Sequence, residues 1–234
     1  MSHVPNLKSR HIVVLTGAGM SAESGIKTFR DADGLWEGHD VMEVASPQGF
    51  RANPELVLDF YNQRRRQLLE VEPNAGHLAL AELEKDYNVS IITQNVDDLH
   101  ERANSSNILH LHGELLKMRS TKNETLIYDC KEDINVGDMC EENSQLRPHI
   151  VWFGEAVTAM DKAVEIVKTA DILIIVGTSM QVYPAAGLVH YTKEGIPIYF
   201  IDPNPAISED SFSHLTIIQE NATIGIKKLV ENYL

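Results

Sequence analysis

The sequence predicts an α/β fold, a doubly wound parallel sheet with a small inserted module, on three observations. Short β-branched runs alternate with amphipathic stretches along most of the chain. The runs are apolar at consecutive positions, as strands covered on both faces are, and the first of them ends in a glycine-rich turn. The 234 residues are enough for one large domain with a small satellite.

The predicted strands are HIVVLTG (11–17), NVSIITQ (88–94), NILHL (107–111), DILIIVG (171–177), IPIYFID (196–202) and LTII (215–218). Between them, NPELVLDFYNQRRRQLLEV (53–71) reads as a helix opened by an Asn53 cap and by Pro54 at its first position. AGHLALAELEKDY (75–87), VTAMDKAVEIVKTA (157–170) and PAAGLVHYTKEG (184–195) carry the same helical pattern. Two regions break the alternation. Residues 25–72 carry loops and helices but no strand signal. Residues 114–148 are polar, with weak strand signals in LLKMRS and ETLIYD and both cysteines, and read as the inserted module. The expected organisation is one domain over 1–234. It has a large subdomain from 8–113 and 149–234, a small module at 114–148 and a helical insertion at 25–72.

With 43% hydrophobic and 23% charged residues, the composition is that of a folded globular chain. Lys and Arg number 20 against 34 Asp and Glu, a net charge of −14, which argues against nucleic acid or an anionic membrane as the main partner. A local site for a small anion remains compatible with it. The first residues are polar, and the apolar run Ile12–Leu15 is too short for a signal peptide. No segment approaches the ~20 apolar residues that cross a bilayer, so a cytoplasmic location is expected.

Gly17, Gly19 and Ala22 in Gly17-Ala18-Gly19-Met20-Ser21-Ala22 satisfy G-x-G-x-x-[GA] directly after a strand. Glycines there let a backbone approach a pyrophosphate, and a following helix N-terminus supplies N–H donors. A tight turn that needs positive φ accounts for the same residues. The acidic residue usual about twenty positions on is missing. Thr28-Phe29-Arg30-Asp31-Ala32-Asp33-Gly34-Leu35-Trp36 follows instead and reads as a loop.

Five blocks occur in order: GAGMSAESGIKTFRDADGLW, TQNVDDLHERA, LHGEL, RPHIVWFGE and GTSMQVYPAAG. Together they resemble the sirtuin family of NAD-dependent protein-lysine deacylases across nearly the whole chain, in a compact bacterial form. The resemblance implies a Rossmann-type large subdomain, a small module, and a cleft between them where NAD meets an acyl-lysine protein substrate. It implies a transferase-type reaction in which the acyl-lysine amide oxygen meets the NAD ribose carbon as nicotinamide leaves. The products are nicotinamide, O-acyl-ADP-ribose and free lysine. Holding a poor nucleophile close supplies much of the rate, and water must be excluded. Mono-ADP-ribosyl transfer to protein and NAD sensing without turnover are the alternatives.

By the same resemblance His112 is the base that activates a ribose hydroxyl, a role suited to an imidazole that titrates near neutrality. Nothing in the resemblance singles out His110. Gln94, Asn95 and Asp97 follow a core strand at its carboxyl end and would hold nicotinamide and ribose, Asn95 and Asp97 as catalytic partners of His112. The same residues suit the start of a helix, and both roles are compatible. Gly17, Ala18, Gly19 and Ala22 would line the NAD site, with Phe29, Arg30 and Trp36 in the loop that covers it. Gly177, Thr178 and Ser179, then Asn204 and Ala222, would sit on the adenosine side. Val151, Trp152, Phe153 and Gly154, with Val182, match the segments that clamp a peptide as an added strand.

Two features narrow the resemblance. Tyr61 and Arg64 lie three apart on one helix face, and with Ala45 they fall where class III members line the acyl pocket. Ala45 leaves room, Arg64 can pair a carboxylate, and Tyr61 can donate to it, which points to succinyl and malonyl groups alongside acetyl. Sirtuins commonly tie the small module with four cysteines on zinc. This chain has only Cys130 and Cys140, with Ser120 where a first cysteine is expected. No structural zinc is expected, and the module would rely on Leu126, Ile127, Tyr128, Ile134 and Val136 for its packing.

Overall fold

The first apolar run becomes strand β1 (His11–Thr16), buried from Ile12 onward. The computed structural model describes residues 7–27 and 35–234. After β1 the glycine-rich turn does not open an α-helix. It forms two 3-10 turns, Ala18–Met20 and Ala22–Ser24, closed by Gly25 at φ 99°. A small antiparallel hairpin, β2 (Leu35–Trp36) and β3 (His39–Asp40), lies inside the stretch expected to lack strands. Glu37 and Gly38, at φ 51° and 84°, turn it, and two-residue strands are too short to leave an alternating pattern.

Three helices follow: α1 (Val41–Val44), α2 (Pro47–Ala52) and α3 (Pro54–Glu70). Asn53 caps α3 as expected, its side chain accepting from Leu56 N at 3.1 Å, with Pro54 at the first position. Such a cap contributes about 1 kcal/mol. Helix α4 (Ala75–Leu83) leads into β4 (Asn88–Thr93). The short helix α5 (Leu99–Arg102) precedes β5 (Ile108–His110). Strands β6 (Gly113–Ser120), β7 (Ile127–Asp129) and β8 (Leu146–Ile150) then form a separate antiparallel sheet with β6 in its centre. Helix α6 (Met160–Lys168) and β9 (Ile172–Val176) return the chain to the first sheet. Residues Ala185–Tyr191, expected as an α-helix, form a 3-10 helix. Gly187 and the β-branched Val189 weaken so short a segment. Strands β10 (Ile198–Ile201) and β11 (Leu215–Ile218) and helix α7 (Ala222–Tyr233) complete the described elements.

The central sheet is parallel throughout, in the order β11-β10-β9-β1-β4-β5. In order of appearance its six strands run 3-2-1-4-5-6 from one edge, the doubly wound order of dinucleotide-binding folds. Alternate residues of β1 divide between two cores. Ile12 and Val14 pack with Leu80 and Leu83 of α4 and Ile226 and Leu229 of α7. Val13 and Leu15 pack with Ala163 and Val167 of α6 and with Leu188 and Val189. Each large side chain buried this way contributes about 1.5–3 kcal/mol.

The β6–β8 sheet is fastened to α3 by buried polar groups as well as by apolar contact. Asn62 donates to Ile134 O and accepts from Ile134 N, both at 2.9 Å. Fully buried Arg65 donates to Leu115 O at 3.1 Å and to Asn62 Oδ1 at 2.7 Å. Leu58 of α3 closes a cluster of Cys130, Ile134, Cys140 and Leu146, with Leu126 and Tyr128 packed against it. Ile127 and Val136, expected in this packing, are 43% and 52% exposed, so the module leans on α3 where a self-contained core was anticipated.

The residues around Ser120 and Cys140, where the resemblance would place a zinc, do not fit one. Ser120 Oγ and Ser144 Oγ share a hydrogen bond of 2.6 Å, and Cys140 Sγ lies 3.1 Å from Ser144 Oγ. The Cys130 thiol donates to Glu132 O at 3.2 Å. Among the described residues no cluster of three His, Cys, Asp or Glu side chains can hold a metal. A thermal melt in the presence of a chelator is expected to match that without it. Asn62→Ala is expected to lower stability by about 2–4 kcal/mol, because it strands the Ile134 amide, a carbonyl and the Arg65 guanidinium together. A chelator-sensitive melt would contradict the first expectation.

Beneath the glycine-rich turn, Asn74 caps α4 and donates to Met20 O at 2.8 Å, while His77 accepts from Asn74 N. His77 packs edge-on against His100, which bonds Thr16 Oγ1 at 3.1 Å. Burial pushes His77 down to about 4 and His100 well below its ordinary value. Unfolding frees both to take up protons below about 6.5. Stability is therefore complete above that pH and falls as pH drops towards 4, by about 1.4 kcal/mol per pH unit per histidine. Urea titrations between pH 6.5 and 5 are expected to show this slope, reduced in His77→Asn.

Candidate active site

The sheet order reverses between β1 and β9, and the carboxyl ends of strands at such a point form a crevice. Here the two loops leaving those ends touch. Gly17 N donates to Val176 O at 3.0 Å and Gly19 N to Gly177 O at 2.8 Å. A Cβ on Gly17 would lie 2.8 Å from Gly177 O and from Thr178 Cβ, and one on Gly19 would lie 2.7 Å from Gly177 Cα. Gly177 itself sits at φ 62°. These glycines therefore serve the contact of one loop with the other. The same residues also line the cleft, which leaves the close approach to a pyrophosphate expected from the sequence compatible with this contact.

In front of that contact opens a cleft of about 940 Å³, near the upper end for ligand sites. All but two of the site residues expected from the sequence line it. Gly17, Ala18, Gly19 and Ala22 come from the turn after β1, and Gln94, Asn95 and Asp97 from the loop after β4. His112 lies between β5 and β6, and Gly177, Thr178 and Ser179 follow β9. Asn204 follows β10, and Ala222 opens α7. Trp36, Ala45, Tyr61 and Arg64 come from the hairpin and helices α1–α3, and Val151 to Gly154 with Val182 from the loops after β8 and β9. Phe29 and Arg30 lie outside the described residues.

One residue that was not anticipated sits at the centre. Ser21, fully buried, donates to Asp97 Oδ2 at 2.9 Å and accepts from Asn95 Nδ2 at 3.1 Å. Its only sequence signal is a hydroxyl at a variable position of the glycine motif. Asp97 Oδ1 accepts from Leu99 N at 3.2 Å, so the carboxylate satisfies a helix end and the site together. Burial raises Asp97 to about 6, against the hydrogen bonds from Ser21 and Leu99. The network directs the Asn95 amide nitrogen to Ser21.

His112 Nδ1 lies 3.1 Å from Gln94 O. A carbonyl only accepts, so Nδ1 carries the proton and Nε2 keeps its lone pair. Burial lowers the pKa of this imidazole, against the bond to Gln94, which keeps the neutral base present at pH 7. His112 thus has the protonation state a general base needs.

On the opposite wall the Trp152 indole donates to the Tyr61 hydroxyl at 3.0 Å. Tyr61 is fully buried, and burial holds its pKa far above the ordinary value, so it remains a neutral donor. Among the described residues its own proton has no acceptor. Arg64 stands over the Phe60 ring at 4.9 Å, and its buried Nε has no partner. Trp152 is held from behind by Arg147, whose guanidinium stacks on the indole and donates to Glu155 at 2.6 Å. Glu155 also accepts from Trp152 N at 2.8 Å. Phe153, by contrast, is 44% exposed at the rim.

The cleft therefore offers a neutral imidazole base, oriented amides and a carboxylate at the sheet end, and unsatisfied donors at the helical wall. Its volume and the polar groups that line it suit a ligand of dinucleotide size. No helix among the described residues is long and apolar enough to cross a membrane.

Comparison with known proteins agrees with this geometry. The model of the Sir2 family matches residues 17–184. An NAD-dependent protein deacylase of Helicobacter pylori is 66% identical over 194 residues, 83% of this chain and 85% of that protein. One of Bacteroides thetaiotaomicron is 53% identical over 226 residues, 94% of this chain and 96% of its own length. Among solved structures, a Sir2 homologue in complex with NAD superposes with a TM-score of 0.85 at 39% identity, covering 94% of this chain and 88% of that one. The chain belongs to the Sir2 family.

Proposed function

We propose that this protein is an NAD-dependent protein-lysine deacylase that removes the acidic acyl groups succinyl and malonyl as well as acetyl. The observation that carries the acyl reading is the pair of donors at the helical wall. Tyr61 already accepts from Trp152 and has only its proton left to give, and Arg64 carries a buried Nε without a partner. A terminal carboxylate accepts from both, whereas an acetyl methyl accepts from neither. Ala45, buried with its one-carbon side chain, leaves room for the longer chain.

NAD, when bound, supplies an electrophilic ribose carbon as its nicotinamide bond breaks. The chain's residues do the rest. Gln94, Asn95 and Asp97 hold the nicotinamide and ribose end, with Ser21 fixing the Asn95 amide and the Asp97 carboxylate. His112 Nε2 receives a ribose hydroxyl proton. The loops after β9 and β10 and the start of α7 receive the adenosine end. Val151 to Gly154 and Val182 flank the peptide, and backbone pairing there makes the sequence preference broad. Trp36, Ala45, Tyr61 and Arg64, with Leu115 of β6, line the cleft on the acyl side. Cys130 and Cys140 are unpaired thiols, in keeping with a reducing cytoplasm.

Arg64→Met is expected to lower the ratio of kcat/KM for succinylated over acetylated peptide by about tenfold or more, the loss of one charge-assisted pair. An unchanged ratio would sink the acidic-acyl reading. His112→Ala is expected to reduce kcat by about 10²–10⁴, the usual contribution of a general base. In the wild type, activity should fall below a pH of about 6, where Asp97 gains a proton and no longer accepts at both oxygens. Mass spectrometry after incubation with NAD and acyl peptide distinguishes the outcomes. O-acyl-ADP-ribose supports deacylation, modified protein points to ADP-ribosyl transfer, and no product points to sensing.

A further inference from the structure

His110 and His112 alternate along one segment, and each imidazole reaches back to the same loop. His112 Nδ1 bonds Gln94 O, and His110 Nδ1 lies 3.1 Å from the next carbonyl, Asn95 O. The two rings differ at the other nitrogen. His112 Nε2 is left for the cleft, whereas His110 Nε2 lies 2.7 Å from Glu101 Oε1. His110 therefore faces an acceptor at both nitrogens, a carbonyl and a carboxylate. A neutral imidazole can donate to only one of them, and only the imidazolium satisfies both.

We propose that His110 is a positioning residue, a doubly donating imidazolium that clamps the Asn95 carbonyl to Glu101 of α5 and thereby holds the Asn95–Asp97 turn in its NAD-binding shape. Asn95 is otherwise fixed by its N–H on Thr93 Oγ1 at 3.0 Å and by its side chain on Ser21. The His110 bond is the one that takes its carbonyl. Loss of that bond lets the peptide plane rotate, and the amide of Asn95 then leaves Ser21. His110 touches no reacting atom in this scheme.

The surroundings support the charged form. Burial opposes it, but Glu101, the Asn95 carbonyl and Glu114 of β6 together hold the pKa above its ordinary value. The other groups facing this corner are Asp97, His100 on α5 and Lys117 on β6. His100 is held neutral by burial, so it adds no competing charge.

The inference rests on the reading that Asn95 contacts NAD, and Asn95→Ala tests that separately by its effect on KM for NAD. Asparagine places an amide near the Nδ1 position of histidine, and glutamine places one near Nε2. His110→Gln is therefore expected to raise KM for NAD about tenfold while KM for the acyl peptide stays within about twofold, as for one lost charge-assisted hydrogen bond. His110→Asn, which keeps a donor for Asn95 O, should raise it less. The second readout is pH. In the wild type, KM for NAD rises as His110 loses its proton, at a pH above the ordinary imidazole range. In Glu101→Gln, whose amide can donate to Nε2, the neutral ring keeps its Nδ1 proton on Asn95, and that rise disappears. Equal effects of the two His110 variants on both KM values, or an unchanged pH dependence in Glu101→Gln, would overturn the proposal even where Asn95→Ala weakens NAD.

Discussion

Where the order of the central sheet reverses, the turn after β1 and the loop after β9 pack backbone against backbone through Gly17, Gly19 and Gly177. The contact leaves no room for a Cβ on any of the three, so it constrains both loops at once. Each loop then carries its cleft residues at a set height above the sheet. Ser21 follows two residues after Gly19, and Thr178 and Ser179 follow Gly177 directly. Thr178 in turn accepts from Gln94 Nε2 at 3.2 Å, which extends the arrangement to the loop after β4. Three crossings of the sheet are thus registered against one another before any ligand arrives.

Around that contact the polar groups are arranged as a chain in which each group's remaining capacity follows from its neighbour. Asn95 gives its amide hydrogen to Ser21, Ser21 gives its hydroxyl hydrogen to Asp97, and Asp97 takes a second hydrogen from Leu99 N. His112 spends its proton on Gln94 O and retains a lone pair. Tyr61 spends its lone pair on Trp152 and retains a proton. An acceptor thus remains at the sheet end of the cleft and donors at the helical end. Buried groups of this kind are costly when unpaired, which is why the ligand that completes them gains specificity.

The parallel sheet was legible because strands buried on both faces leave continuous apolar runs, and all six appear within a residue or two of their expected ends. The cap and first turn of α3 were legible for an equally local reason, Asn53 followed by Pro54. The β2–β3 hairpin was not, since four residues carry no periodicity. Ser21 was hidden because its importance lies in contacts with Asp97 and Asn95, more than seventy positions away. The small module misled in another way. Ile127 and Val136 read as core by composition, but the polar groups of Asn62 and Arg65, on a helix distant in sequence, supply the attachment.

Three consecutive arginines on α3 show how one helix serves several surfaces. Successive side chains point about 100° apart around a helix of ~3.6 residues per turn. Arg64 lines the cleft, Arg65 is buried against Leu115 and Asn62, and Arg66 pairs with Asp133 in solvent. As a charge run the segment suggests a solvated face, and only Arg66 fits that description. Arg65 is the costly member, a buried cation whose partners are neutral oxygens, so it holds α3 and β6 in one relative position. Arg64 stands on the next residue of the same rigid turn. The geometry of this wall of the cleft is therefore tied, through α3, to the attachment of the small module. In a chain of net charge −14, any anion approaching the cleft meets long-range repulsion, while donors within hydrogen-bond reach act where the low local dielectric favours the short contact over the distant field.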